Sequence, residues 1–164
     1  PYTGMIVSTR ESKEVRERVL HLGISQVSGG SKTSVGGYDS SISEDEAEES
    51  AQFDVSDRRT LDEVIKWLME NGFVPSFCTA CYREGRTGDR FMEICKNKQN
   101  LNCCHPNAII TLKEYLEDYA SAQTKKVGEE LIKKELETLQ NKKVECIVEE
   151  NLAKIEKGER DFRF

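Results

Sequence analysis

Two cysteines three positions apart open the stretch FCTACYREGRTGDRF (residues 77–91), and a second pair, Cys103 and Cys104, follows in NLNCCHPN. No other feature constrains the fold as strongly, because thiols that must meet at one centre dictate which segments come together. Cys78, Cys81 and Cys104 read as C-x2-C-x22-C; taking Cys103 instead shortens the last gap to 21 residues. Two thiolates separated by two residues grip one metal centre from a single tight turn, and the third arrives from elsewhere. Three thiolates suit a cubane iron–sulfur cluster with one iron left open. Zinc wants a fourth ligand, which His105 or Cys103 would supply, although no second C-x-x-C completes the usual zinc pattern. Spacing alone leaves iron–sulfur, zinc and no metal open.

Cys95 and Cys146 fall within apolar helical patterns and are expected to be packed small hydrophobes. His21 comes late in a helix, where a surface or C-terminal capping position is expected rather than ligation. Six cysteines without a preceding secretory signal suggest a reducing, cytoplasmic setting. The net charge of −6 argues against a general nucleic-acid or membrane-surface binder. No apolar run reaches the ~18–20 residues of a membrane span.

The chain divides into three stretches. Residues 4–9 read as a short buried strand, ESKEVRERVLHLG as an amphipathic helix closed by Gly23, and ISQVSGG as a second strand. Such a βαβ unit needs a larger parallel sheet to cover its faces, so residues 1–38 read as the end of an α/β domain. The glycine-, serine- and acid-rich residues 39–52 read as a solvated linker. Residues 53–164 read as a small helical domain. Its first helix has a cap candidate at Ser56 or Asp57, with Leu61, Val64, Ile65 and Leu68 at helical spacing and Gly72 as the stop. A shorter helix is expected over DRFMEICKN, another from Pro106 or Asn107, and two more over TKKVGEELIKKELETL and KKVECIVEENLAKIEK.

Several of these stretches carry a resemblance. CTACYREGRTGDRFM, NCCHPNA with TLKEYLEDYA, and GERDFRF resemble the C-terminal domain of the HydG family, the radical S-adenosylmethionine tyrosine lyases that mature FeFe-hydrogenases. PYTGMIVSTRES and GISQVSGGSKTSVGGY resemble the last strand–helix–strand of that family's (β/α)8 barrel. The resemblance implies cleavage of tyrosine to p-cresol and dehydroglycine, and conversion of the latter to carbon monoxide and cyanide for assembly of the hydrogenase H-cluster. It implies that Cys78, Cys81 and Cys104 hold an auxiliary 4Fe–4S cluster, extended by an additional iron and a free cysteine ligand. Other FeFe-hydrogenase maturation proteins would be transient partners. The C-x3-C-x2-C motif of the first cluster is missing, as is most of the barrel. The chain is therefore expected to be the C-terminal portion of the enzyme, with S-adenosylmethionine and the second 4Fe–4S cluster belonging to the N-terminal part. Alone it should not cleave tyrosine. The reading of a different class is a zinc-stabilised helical interaction module using Cys78, Cys81, Cys104 and His105.

The resemblance also places Ser8 and Arg10, from VSTRE, at the carboxylate of the tyrosine substrate. A guanidinium suits that task because its planar fork pairs with both carboxylate oxygens. The bland reading of Arg10 is a surface salt bridge with Glu11 or Glu14. Arg83, Arg86 and Arg90 follow the first cysteine pair and are candidates for balancing an anionic cluster. Alternatively they only shape the loop, with Gly85 and Gly88 as turn positions and Asp89 as a helix cap.

Overall fold

The structure, a computed structural model, describes residues 4–39, 41 and 50–164. The chain forms two compact units, Pro1–Val64 and Ile65–Phe164.

The first unit contains the expected strand–helix–strand. Strands β1 (Ile6–Val7) and β2 (Gln26–Val27) pair in parallel, Ile6 opposite Gln26 and Val7 opposite Val27, with helix α1 (Lys13–His21) as the crossover. Ser12 caps α1 by accepting a hydrogen bond from the Val15 amide, and Gly23 turns the chain out of it at φ +102°. His21 lies in the last turn of α1 and is exposed, as its position suggested. Val7 and Leu20 are buried, whereas Met5 and Ile6 remain exposed. Arg16 is buried completely on the inner face of α1. Its guanidinium donates to the Asp57 carboxylate and to the Ser28 carbonyl, and Arg59 joins the same carboxylate at 2.5 Å.

That arrangement overturns the expected cap. Asp57 does not start the following helix, and neither does Ser56; the helix α2 spans Leu61–Glu70. Its start is a reciprocal capping box, in which Thr60 Oγ1 accepts from the Glu63 amide and Glu63 Oε2 accepts from the Thr60 amide. Asp57 is occupied by two guanidinium groups, a demand that the local sequence gave no sign of. Hydrogen bonds from Arg59, opposed by burial and helped by the Arg16 charge, hold its carboxyl down at about 2.

The segment before α2 is tied together by an antiparallel bridge between Ser34 and Ala51, by the Gln52 amide donating to the Thr33 carbonyl and by Thr33 Oγ1 donating to the Phe53 carbonyl. Most of the expected acidic linker, residues 40 and 42–49, lies outside the described residues.

The second unit is helical. After α2 come α3 (Ala80–Arg83), α4 (Asp89–Lys96), a 3-10 turn (Gln99–Asn102), α5 (Cys104–Asp118), α6 (Ala122–Thr138) and α7 (Lys142–Glu156). Helix α5 is the central element and packs against α6 and α7. Its Ile109, Ile110, Leu112 and Leu116 form one core with Ile132 of α6 and Val148 and Ile155 of α7. Full burial of such side chains stabilises by about 1.5–3 kcal/mol each before entropy is counted. The α5–α6 approach is close enough to require glycine: a Cβ on Gly128 would lie 2.4 Å from Leu116 Cδ1. On α2 the buried positions are Val64, Ile65, Trp67 and Met69, while Leu61 is exposed and Leu68 only half-buried. The buried face is therefore rotated from the expected one.

Lys113, also on α5, is buried among Glu117, Glu129 and Glu156. Burial pulls its ammonium down, but hydrogen bonds to the three carboxylates more than offset this and hold it above the usual lysine range. Among the described residues, no helix is long and apolar enough to cross a membrane.

Candidate metal centre

Cys78 lies in the loop after α2, and Cys81 is the second residue of the single-turn helix α3. That turn is closed by the Arg83 amide on the Thr79 carbonyl and ended by Gly85 at φ +62°. The tight turn expected from C-x2-C is thus a short helical one. The Ala80 amide donates to Cys78 Sγ at 3.4 Å, a contact that strengthens when the sulfur is a thiolate.

Cys104 comes from a separate element. It is the first residue of α5, which starts two residues earlier than Pro106 and three earlier than Asn107. Cys103 sits at the N-cap position, so the cysteine pair belongs to a helix start and not to an extended loop. Side chains of neighbouring residues need not diverge there, and the two Sγ atoms lie 3.9 Å apart. Cys103 Sγ also donates to the Gln99 carbonyl at 3.4 Å.

The same face of α5 positions the first cysteine loop. Thr111 and Tyr115 follow Cys104 by seven and eleven residues, two and three turns along one side of the helix. The Phe77 amide donates to Thr111 Oγ1 at 3.2 Å, and the Phe77 ring stacks on Tyr115 with centroids 5.0 Å apart. One helix therefore supplies Cys104 and docks the residue before Cys78.

The thiols feel one another. Burial, then the neighbouring Cys103, then Cys81 and Cys78, push the Cys104 thiol up to about 12. A part-buried thiol that resists ionising beside other sulfurs is suited to a cationic centre, which offsets the repulsion and takes it as a thiolate ligand. Among the described residues, no three His, Cys, Asp or Glu side chains converge on a single-ion site. A cubane does not require such convergence, because its protein thiolates bind different irons. Cys78, Cys81 and Cys104, from two segments, fit that donor chemistry. His105, the fourth ligand in a zinc arrangement, has Nε2 engaged with Glu135 Oε2 at 2.7 Å.

The three arginines differ. Arg83 pairs with Asp161. Arg86 is half-buried and reaches the Phe164 carbonyl at 3.4 Å, while its Nε makes no hydrogen bond among the described residues. Arg90 is exposed near the start of α4. Gly88, at φ +56°, occupies the cap position of α4, and Asp89 is its first helical residue. Asp89 thus contributes charge to the first turn and not the cap. Cys95 is half-buried, and Cys146 is exposed on α7, contrary to the packed position expected for it. Its neighbour Val148 takes the core position instead.

Sequence reasoning missed the residues that hold this region together. Asp161, Phe162 and Arg163 join Phe77, Cys78, Arg83, Thr111 and Glu114 around a cleft of about 90 Å3. GERDFRF was recognisable as a motif, but nothing local in it indicates that it folds back onto the cysteine loop.

In the first unit, Ser8 and Arg10 follow β1 directly. Ser8 Oγ accepts from the Arg10 amide at 3.2 Å, and the exposed Arg10 guanidinium lies over the Phe53 ring, 4.7 Å from its centroid. It pairs with neither Glu11 nor Glu14.

Comparison with known proteins connects both units. Residues 1–74 match the Biotin and Thiamin Synthesis associated domain. A comparison with curated protein sequences gives no match. Among solved structures, the crystal structure of HydG, a maturase of the FeFe-hydrogenase, matches with a TM-score of 0.89 and 51% identity. The match covers 100% of this chain and 34% of that one, so the chain spans about a third of the length of that maturase. With identity and fold shared from one end of the sequence to the other, the chain is similar over its whole length to the C-terminal region of HydG, a maturase of the FeFe-hydrogenase.

Proposed function

We propose that this chain is the part of a radical S-adenosylmethionine tyrosine lyase that carries the auxiliary iron–sulfur cluster. In this reading the complete enzyme cleaves tyrosine to p-cresol and dehydroglycine. When bound, the auxiliary cluster and its additional iron supply the site at which the dehydroglycine fragment becomes carbon monoxide and cyanide. S-adenosylmethionine and the other 4Fe–4S cluster belong to the remainder of the enzyme, and the other maturation proteins are its transient cytoplasmic partners.

The observation that carries the proposal is one helix, α5, that supplies Cys104 at its first residue and docks the loop holding Cys78, with Cys81 three residues further on in α3. These three would be the protein ligands. The Ala80 amide on Cys78 Sγ supports a thiolate there, and Arg86, with Nε still unused, is the arginine best placed to support anionic charge. Arg90 would act only at longer range, and Arg83 is committed to Asp161. The zinc reading is weaker because, among the described residues, no three His, Cys, Asp or Glu side chains converge on a single-ion site, and the Glu135 contact leaves only Nδ1 of His105 for a metal.

Residues 1–38 would be the last strand–helix–strand of the barrel, 39–52 the acidic linker and 53–164 the cluster domain. The parallel β1–α1–β2 crossover supports the first of these. Barrel enzymes place substrate groups at the C-terminal ends of their strands. Ser8 and Arg10 stand at that end of β1, which supports their assignment to the substrate carboxylate.

The test is anaerobic reconstitution followed by iron, sulfide and zinc analysis. Serine at Cys78, Cys81 or Cys104 should deplete the cluster, while Cys103→Ser should leave iron content near that of the unaltered chain. In an enzyme of full HydG length, p-cresol formation should survive these changes and carbon monoxide release should fall. Loss of the cluster in Cys103→Ser but not Cys104→Ser would move the ligand by one residue. Uptake of zinc alone would overturn the iron–sulfur assignment.

A further inference from the structure

The residues of GERDFRF cross-link the two halves of the cysteine set. The Asp161 carboxylate pairs with Arg83, two residues beyond Cys81. The Asp161 amide donates to Glu114 Oε1 on α5 at 2.8 Å. Further along, the Phe164 amide donates to Asn107 Oδ1 at 2.8 Å, and Asn107 Nδ2 returns a bond to the Phe164 carbonyl at 3.4 Å. Arg86, five residues beyond Cys81, donates to that same carbonyl. Asn107 is only 2% exposed and follows Cys104 by three residues, one turn away. Arg163 adds a contact to Asp161 at 3.2 Å, and Arg160 anchors the segment on Asp118. Asp161 adopts φ +70°, a conformation uncommon outside glycine that Asp and Asn tolerate better than other residues.

We infer that residues 160–164 are a positioning strap, which sets the separation of the Cys78–Cys81 turn from Cys104, with Arg83, Asn107 and Asp161 as its positioning residues. The inference rests on the cluster reading above for its purpose, but the geometry it describes needs no metal. A pair of thiol segments joined only through the Phe77 contacts would be hinged. Polar bonds at Asn107 and Glu114, two turns apart on α5, fix the second segment at two points.

Two measurements on the same chain test this. The first uses metal-free protein with Cys81, Cys95, Cys103 and Cys146 replaced by serine, and follows cross-linking of Cys78 to Cys104 by a short bismaleimide. Asp161→Asn, which keeps the side-chain shape and its tolerance of positive φ, and Arg83→Ala should each slow cross-linking roughly two- to fivefold, as expected for loss of a surface ion pair. Arg83→Lys should recover part of the rate. The second follows iron uptake and the electron paramagnetic resonance signal of the reduced cluster in chains with all six cysteines intact, where the same substitutions should lower the former and broaden the latter. Melting curves identify variants that do not fold; if Asn107→Ala is one, Asp161→Asn decides. Cross-linking unchanged in folded Asp161→Asn and Arg83→Ala overturns the strap. Strap-dependent cross-linking in a chain that takes up no iron supports the strap and overturns the cluster reading alone.

Discussion

Gly128→Ala sets two opposing effects against each other at the α5–α6 contact. Alanine is the better helix former by about 0.8–1.0 kcal/mol, and residue 128 lies within the seventeen-residue α6. Against this, the new methyl would meet Leu116 Cδ1 at 2.4 Å, Cδ2 at 2.7 Å and Cγ at 3.1 Å. Those atoms cannot all swing away, because Leu116 is 1% exposed and enclosed by the core. Overpacking of this kind costs about 1–3 kcal/mol, so the balance is a net destabilisation of up to about 2 kcal/mol. For a chain of this size that corresponds to a fall in Tm of up to roughly 6 °C. Denaturant unfolding of the substituted and unaltered chains measures it. Leu116→Ala alone should cost about 2–5 kcal/mol, and in the Gly128→Ala background distinctly less, because the new methyl occupies part of the vacated space. A Gly128→Ala chain more stable by the full propensity gain, with the two changes additive, would refute the close approach. The contact matters for function because α5 carries Cys104 at its first residue and docks the Cys78 loop on its side.

Three further outcomes follow from the first unit. Asp57 is held at about 2 against an ordinary value of 3.8, so its contribution is full above pH 3.8 and is lost as pH falls through about 2. The difference corresponds to about 2 kcal/mol; acid titration of unfolding should show that loss for the unaltered chain and not for Asp57→Asn. Thr60→Ala removes one side of the capping box and should cost about 0.5–2 kcal/mol. Glu63→Gln, which keeps an acceptor at the same place, should cost less in the same unfolding assay. In an enzyme of full HydG length, Arg10→Ala should weaken tyrosine binding roughly tenfold or more, as loss of a charge-assisted bond implies. The auxiliary cluster's spectrum should not change, Arg10→Lys should recover only part of the affinity, and unaltered tyrosine binding would end the assignment.

Local order in the sequence was enough for the strand–helix–strand and the longer helices, though not for α3 or the 3-10 turn. Apolar spacing with a glycine stop marked α1 and α2, and their ends at Gly23 and Gly72 carry positive φ because no other residue turns out of a helix there as cheaply. The C-x2-C spacing likewise limited Cys78 and Cys81 to one tight turn, since three intervening peptide units leave little freedom. Capping was harder, because several polar residues near a helix start compete for one role. Ser56, Asp57 and Thr60 are all plausible caps by type, and only the buried Arg16, forty-one residues away from Asp57, removes Asp57 from the competition. The same reason explains the α5 start: Pro106 favours a first helical turn, but whether that turn begins at Cys104 depends on what Cys103 and Gln99 bond to. The roles of Asp161 and Asn107 were beyond any local pattern. Chain segments separated by more than fifty residues meet there through specific hydrogen bonds, and hydrogen-bond partners at that distance are chosen by the packed core that brings the backbones together, not by the identity of neighbouring residues.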